Sequence, residues 1–401
     1  MRPPHELAQV IERFLPQLPK AALPVHHRRT LQAIRDCRTA KLGGHVDACD
    51  ACGHLRISYN SCRNRHCPKC QGLNKEMWTI QQEDQLLPTT YFHVVFTLPH
   101  ELNGLCLHNP RFMYGLLLQA AWYTLHTFAQ DPKWLGAKSA ATMVLHTWGQ
   151  TLVLHPHVHC IVPSGGLTTD GQWQKPKRGN HRFLYPVAAM RNVFKAFFLK
   201  QMRVALESGV LVLPNGFPGN RKAYFHWKES LYQKQWVVYT KKPFQGVQNV
   251  VKYLARYSHR VAITNHRLHQ IDEHQVHFQY KDYADGAKKK IMILDGPTFL
   301  KRFCLHILPP RFRKVRQLGF LANACKARDL DKARKALGVK QKQLLDRAQR
   351  KDLAKHRLFK EQADRCPCCQ NGKMVIIHVW QANKDPPAFY TNSDLASQTL
   401  F

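Results

Sequence analysis

Apolar and polar positions change period several times along the chain, and each change predicts an element. Residues 5–36 carry apolar positions at helical spacing, broken by charge and interrupted around Pro19 and Pro24, which predicts two short amphipathic helices. A cysteine-rich block runs on to about residue 72. YFHVVFTLP (91–99) has the texture of a strand, and RFMYGLLLQAAWYTLHTFAQ (111–130) that of a buried helix. ATMVLHTWGQ (141–150) and the run around HPHVH (155–159) predict further strands. A basic helical segment covers about 193–208, and GVQNVVKYLARYSHRV (246–261) predicts another helix. VHFQYKDYADGAKKKIMIL (276–294) predicts a hairpin turning at Asp285-Gly286. From Gly296 the chain reads as helical and strongly basic, then as a CPCC element and a polar tail. There is no internal repeat, and no GxxxxGK[ST] loop of a nucleotide-driven motor.

Composition narrows the partners. Lys and Arg number 60 against 26 acidic residues, a formal charge of +34 spread over most of the 401 residues. That excess points to a polyanion, most simply nucleic acid. The N-terminus is not a secretory signal and no run approaches a membrane span, so a cytoplasmic protein is expected. In that compartment 13 cysteines suggest metal ligands rather than a disulfide framework.

The cysteine block supplies the first candidate site. Cys49 and Cys52 form one CxxC knuckle and Cys67 and Cys70 another, with fourteen residues between them. Four thiolates at that spacing suit one tetrahedral, structural Zn2+ with no open position. Cys37, His45, Cys62 and His66 are left over and could complete a second zinc site. Arg56, Arg63 and Arg65 suit either phosphate contacts or a solvated loop.

HPHVH supplies the second. In a strand His155, His157 and His159 point the same way, neighbours lying roughly 6.5–7 Å apart. Pro156 has no N–H for a central ladder, so regular pairing should begin after it, favouring His157 and His159 as a pair. They either hold a cation or form an ordinary polar strand face. In the helix at 246–261, Val247, Val250, Val251 and Leu254 form the buried stripe, while Tyr253 and Tyr257 share a flanking face. A phenol placed beside a metal can act as a nucleophile on phosphorus.

Together these residues resemble a known family. HVH followed by CIV resembles the His-hydrophobic-His motif of HUH rolling-circle nucleases. YLARY resembles the tyrosines of two-tyrosine HUH transposases of rolling-circle insertion sequences, and CxxCGH…SCRNRHCPKCQ resembles their zinc-binding region. The resemblance covers about residues 30–320 and implies an α+β fold: an antiparallel sheet flanked by helices, with HUH on a central strand. It implies domains at 1–88 (helical and zinc-binding), 89–300 (nuclease) and 301–401 (basic, helical, with the CPCC element). It also implies attack by Tyr253 and Tyr257 on single-stranded DNA, leaving 5′-phosphotyrosines, with Mg2+ or Mn2+ on His157 and His159. Gln150, seven residues before His157, matches the spacing of a third ligand in related nucleases, with His155 as competitor. Single-stranded and hairpin DNA at transposon ends, a host helicase and a bacterial nucleoid location follow as expectations. A plasmid rolling-circle replication initiator and a zinc-dependent DNA-binding regulator without chemistry are the alternatives.

Overall fold

The computed structural model describes residues 3–178, 184–241, 243–244, 249–251, 253, 259–339, 344–359 and 364–384. The strands in chain order are β1 (Gly44–Cys49), β2 (Leu55–Tyr59), β3 (Tyr91–Thr97), β4 (Ala140–Trp148), β5 (Leu154–Pro163), β6 (Gly166–Leu167) and β7 (Trp173–Gln174). They continue with β8 (Val237–Lys241), β9 (Leu268–Ile271), β10 (Gln275–Asp282), β11 (Lys288–Asp295), β12 (Val315–Gly319) and β13 (Met374–Trp380). Pairing among them is antiparallel throughout, and helices accompany the sheets, the α+β class expected. Among the described residues no helix is long and apolar enough to cross a membrane.

The chain folds into two compact units, neither continuous in sequence. One comprises Met1–Gln81, His259–Ile307 and Leu345–Phe401; the other comprises Gln82–Ser258 and Leu308–Leu344. Three consecutive domains, as expected from the sequence, do not map onto these units. Residues 259–307 belong with the N-terminal segment, and the region after 300 is divided between the two.

The first unit holds two three-stranded sheets, ordered β13-β1-β2 and β11-β10-β9. Its first helix, Leu7–Phe14, buries Leu7, Val10, Ile11 and Phe14, the i, i+3, i+4, i+7 stripe of an amphipathic helix. The start is fixed by a capping box between Glu6 and Gln9, and Asn265 Oδ1 accepts from the Leu7 N–H at 3.1 Å. β10 and β11 form the expected hairpin, with Gly286 in the left-handed region within its turn.

The second unit is organised by a five-stranded sheet, ordered β12-β4-β5-β3-β8. Phe92, Val94 and Phe96 of β3 and Val158, Cys160 and Val162 of β5 alternate onto its apolar face. The helix Val187–Glu207 presents Phe194 there, 5.0 Å from the Phe96 ring, and Trp236 packs on Phe194 and Phe198. Residues 311–320, expected to lie in a basic helical region, instead supply the edge strand β12 at Val315–Gly319. It pairs with β4 from Val315 opposite Val144 to Gly319 opposite Ala140. The reason is a tertiary one: Phe320, Leu321, Leu330 and Ala333 join Leu87, Ala140 and Leu167 in a buried cluster, anchoring the segment to the sheet.

Asp329 lies buried beside this cluster. Lys138 Nζ is 2.6 Å and Arg328 Nε 2.8 Å from its carboxylate oxygens. Burial would raise the carboxyl, but hydrogen bonds from Arg328 and Lys138 outweigh it and hold the pKa down at about 2. A depressed folded-state pKa stabilises above the unfolded value near 4 and is lost as pH falls through 2. Asp329→Asn should therefore cost about 1–3 kcal/mol near neutrality. The gap between wild type and variant in urea unfolding should narrow from pH 5 towards 2. A gap that does not change with pH would show that the charge contributes nothing.

Candidate functional site

Alternation along β5, the central strand, places His157 and His159 on one face and Val158 and Cys160 on the other. Pairing extends the polar face sideways. His146 of β4 stands opposite His157, and His93 of β3 stands opposite Ile161, diagonal to His159. The β4–β5 register shifts between His146 and Trp148, whose partners are His157 and Leu154, so β5 carries an extra residue there. Pro156 lies in that bulge, where its missing N–H leaves no gap in the ladder. Regular pairing begins at His157.

His146, His157 and His159 each offer a ring nitrogen, and the three atoms lie within 4.8 Å of one another. Trp148 stacks on the buried His146 ring at 4.6 Å. His157 Nδ1 donates to the His155 carbonyl at 2.7 Å, a bond that fixes the tautomer and makes Nε2 the ligand atom. Three imidazole nitrogens are a coherent donor set for a transition-metal ion. His155, the competitor, is exposed, and Gln150 lies in the turn joining β4 to β5.

Tyr253 reaches the same face. Its hydroxyl lies 2.7 Å from His93 Nε2 and 3.1 Å from His159 Nδ1, and the Phe244 ring packs 5.2 Å from its own. His93 Nε2 is also 2.9 Å from His159 Nδ1. Burial, helped by the charges of Lys241 and His157, pushes the His93 pKa down to about 3. His93 is therefore neutral at pH 7, with Nε2 placed to accept a hydrogen bond from the phenol. Tyr257 lies outside the described residues. Sequence reasoning missed His93 and did not assign His146. Each is a single imidazole in a strand, and only the register reveals that they share a face.

The thiolates group differently from expectation. Cys37, Cys62, Cys67 and Cys70 form one cluster, and Cys49, Cys52, Cys366 and Cys369 another, each with its sulfurs within 4.8 Å of one another. Cys49 and Cys52 therefore do not join Cys67 and Cys70. The β1–β2 hairpin separates them: Cys49 ends β1 and Cys52 lies in the turn, whereas Cys37 and Cys62 lie beyond its open end. Strands of five or six residues span about 17–20 Å, too far for one ion. Neither His45 nor His66 belongs to a cluster. His45 Nε2 faces Asp47 at 3.6 Å, and the His66 backbone N–H donates to Asn64 Oδ1. Arg56 is directed at buried Asp47, directly opposite in the sheet, by bonds of 2.9 and 3.1 Å, not presented to phosphate. In the first cluster the Cys37–Cys70 and Cys62–Cys70 sulfur separations are 3.4 and 3.5 Å, and the Cys62 N–H points at Cys37 Sγ. Four thiols at that spacing fit a tetrahedral zinc site.

Comparison with known proteins bears on the family. The family described as "Putative transposase" matches residues 140–328, which contain His146, His157, His159 and Tyr253. The family described as "Transposase zinc-binding domain", of IS91 type, matches residues 7–98. "Putative transposase y4qJ" of Sinorhizobium fredii is 40% identical over 384 residues, 93% of this chain and 94% of that protein. The chain belongs to the insertion-sequence transposase family. A second relative, "Transposase for insertion sequence element IS801" of Pseudomonas savastanoi pv. phaseolicola, is 27% identical over 314 residues. That match covers 77% of this chain and 73% of the relative. No solved structure matches significantly. This transposase accordingly acts on DNA, binds zinc and supports movement of a mobile element. Its zinc-binding match contains the whole first cluster but only Cys49 and Cys52 of the second.

The regrouping has a direct check. Cys67→Ser should remove one zinc ion from the purified transposase by elemental analysis. His45→Ala and His66→Ala should leave the zinc content unchanged. Zinc loss on replacing either histidine would return them to the ligand set.

Proposed function

We propose that this transposase cuts and rejoins single-stranded DNA through 5′-phosphotyrosine intermediates during rolling-circle transposition. The observation that carries this reading is the Tyr253 hydroxyl, hydrogen-bonded to His93 and His159 on the sheet face where three imidazoles converge. An isolated DNA-binding regulator needs no such arrangement.

The phenolic oxygen of Tyr253, oriented by its hydrogen bond to His93 Nε2 at 2.7 Å, attacks the scissile phosphorus and releases its proton to solvent. The P–O3′ bond breaks, the 3′ oxygen gains a proton, and the 5′ phosphate stays on tyrosine. Attack by another 3′-OH reverses these steps, so joining needs no nucleotide cofactor. His157, His159 and His146, the last in place of Gln150, would hold a divalent ion that polarises the phosphate and orients it. Nitrogen donors favour Mn2+ over Mg2+, which prefers oxygen. Tyr257, four residues on, serves as the second nucleophile that lets one chain hold one strand end while cutting another. Hairpin DNA at the element's ends, within the nucleoid, is the substrate, and the chain's lack of a P-loop leaves unwinding to a host helicase.

Incubation with a single-stranded oligonucleotide carrying an element end, with Mn2+, should yield a protein–DNA adduct stable in SDS. Tyr253→Phe keeps the ring packing and should reduce the first cleavage at least a hundredfold, on the order expected for loss of a nucleophile. His157→Ala and His146→Ala should abolish Mn2+-dependent adduct while zinc content stays constant. Undiminished adduct in Tyr253→Phe would place the nucleophile elsewhere and leave binding without this chemistry.

A further inference from the structure

The second thiolate cluster joins segments far apart in the chain. Cys52 Sγ lies 3.6 Å from Cys366 Sγ, 314 positions on, and Cys49 Sγ lies 3.7 Å from Cys369 Sγ, 320 positions on. Sulfurs at the corners of a zinc tetrahedron, with Zn–S about 2.3 Å, are about 3.8 Å apart. A disulfide would bring them to about 2.05 Å. The separations are those of ligands sharing one ion.

The surroundings are built for thiolates. The Ala51 and Cys52 N–H groups each point at Cys49 Sγ at 3.4 Å. On the other segment, the Cys368 N–H points at Cys366 Sγ and the Gly372 N–H at Cys369 Sγ, both at 3.4 Å. Each CxxC thus sits in a turn whose amides stabilise negative sulfur. The turns are also fitted to one another. A Cβ on Gly372 would lie 2.3 Å from Cys49 Sγ, so the approach requires glycine. The Lys373 N–H donates to Asp50 Oδ1 at 2.7 Å, and the Asp50 N–H donates to the Lys373 carbonyl at 3.1 Å. From this point β13 runs antiparallel to β1, Met374 opposite Cys49 and Trp380 opposite Gly44, where a Cβ would lie 2.6 Å from the indole. Cys368, between the two ligands, is exposed and outside the cluster.

We propose that Cys49, Cys52, Cys366 and Cys369 hold a second, structural zinc ion that ties β13 to the β1–β2 hairpin. The zinc-binding region of this transposase is then completed by a segment outside the matched residues 7–98. Four thiolates leave no open coordination position, so the ion fixes structure and takes no part in strand cleavage.

Zinc and cobalt content of the full-length chain tests this. Wild type should bind two zinc ions per chain, Cys369→Ser one, and Cys368→Ser two. In cobalt-substituted protein the thiolate charge-transfer absorbance should correspond to two tetrathiolate sites, and Cys369→Ser should halve it. Cys369→His, which keeps a zinc ligand, should retain two ions with one cobalt spectrum shifted. A wild-type chain with a single zinc overturns the proposal without any variant, as does Cys369→Ser retaining two. If Cys369→Ser does not fold, the wild-type count and Cys369→His decide.

Discussion

The register of the central strand β5 is the constraint on which the candidate active site depends. His157 and His159 face the other imidazoles only because Val158 and Cys160 face the helices, and side chains on a strand have a period of two. Slipping β5 by one residue would bury the two imidazoles against Phe96 and Phe194 and expose the apolar residues now packed there. Each fully buried valine or phenylalanine contributes on the order of 1.5–3 kcal/mol, so the apolar face resists such a slip strongly. The chemistry is therefore aimed by residues that take no part in it. The bulge at Pro156 belongs to the same logic, because it places the irregularity just before the first of the paired histidines.

Much of this was legible in the sequence where the signal is local. The stripe in Leu7–Phe14, the apolar texture of β3 and the Asp-Gly turn between β10 and β11 each depend on near neighbours. So does the common face of His157 and His159. Each CxxC was also recognisable as half a metal site. What it pairs with is a tertiary fact. Two knuckles close in sequence invite pairing, but the hairpin between them sends one to its turn and leaves the other beyond its open end.

The same limit hid His93 and His146. A lone histidine in an apolar strand is indistinguishable from a packed one until its neighbours across the sheet are known. The segment 311–320 shows the converse. Its basic, helix-like surroundings gave no sign of a strand, yet its residues pair with β4 and its flank is buried. Charge describes what a segment can meet in solution, and pairing describes where it lies.

The discontinuity of the first unit bears on how the chain comes to be folded. The strand that edges β1 and half of one thiolate cluster emerge from the ribosome some three hundred residues after the hairpin they complete. Closing a loop of that length costs about 5 kcal/mol in chain entropy if the intervening residues are unstructured. Prior folding of the residues between reduces the cost, because a compact insert brings its two ends nearer than a random coil does. Order of synthesis thus favours maturation of the five-stranded sheet before the thiolate-bearing unit closes. Until then β1 is a bare sheet edge with cysteines at its tip, the form of the nascent chain most exposed to mispairing and oxidation.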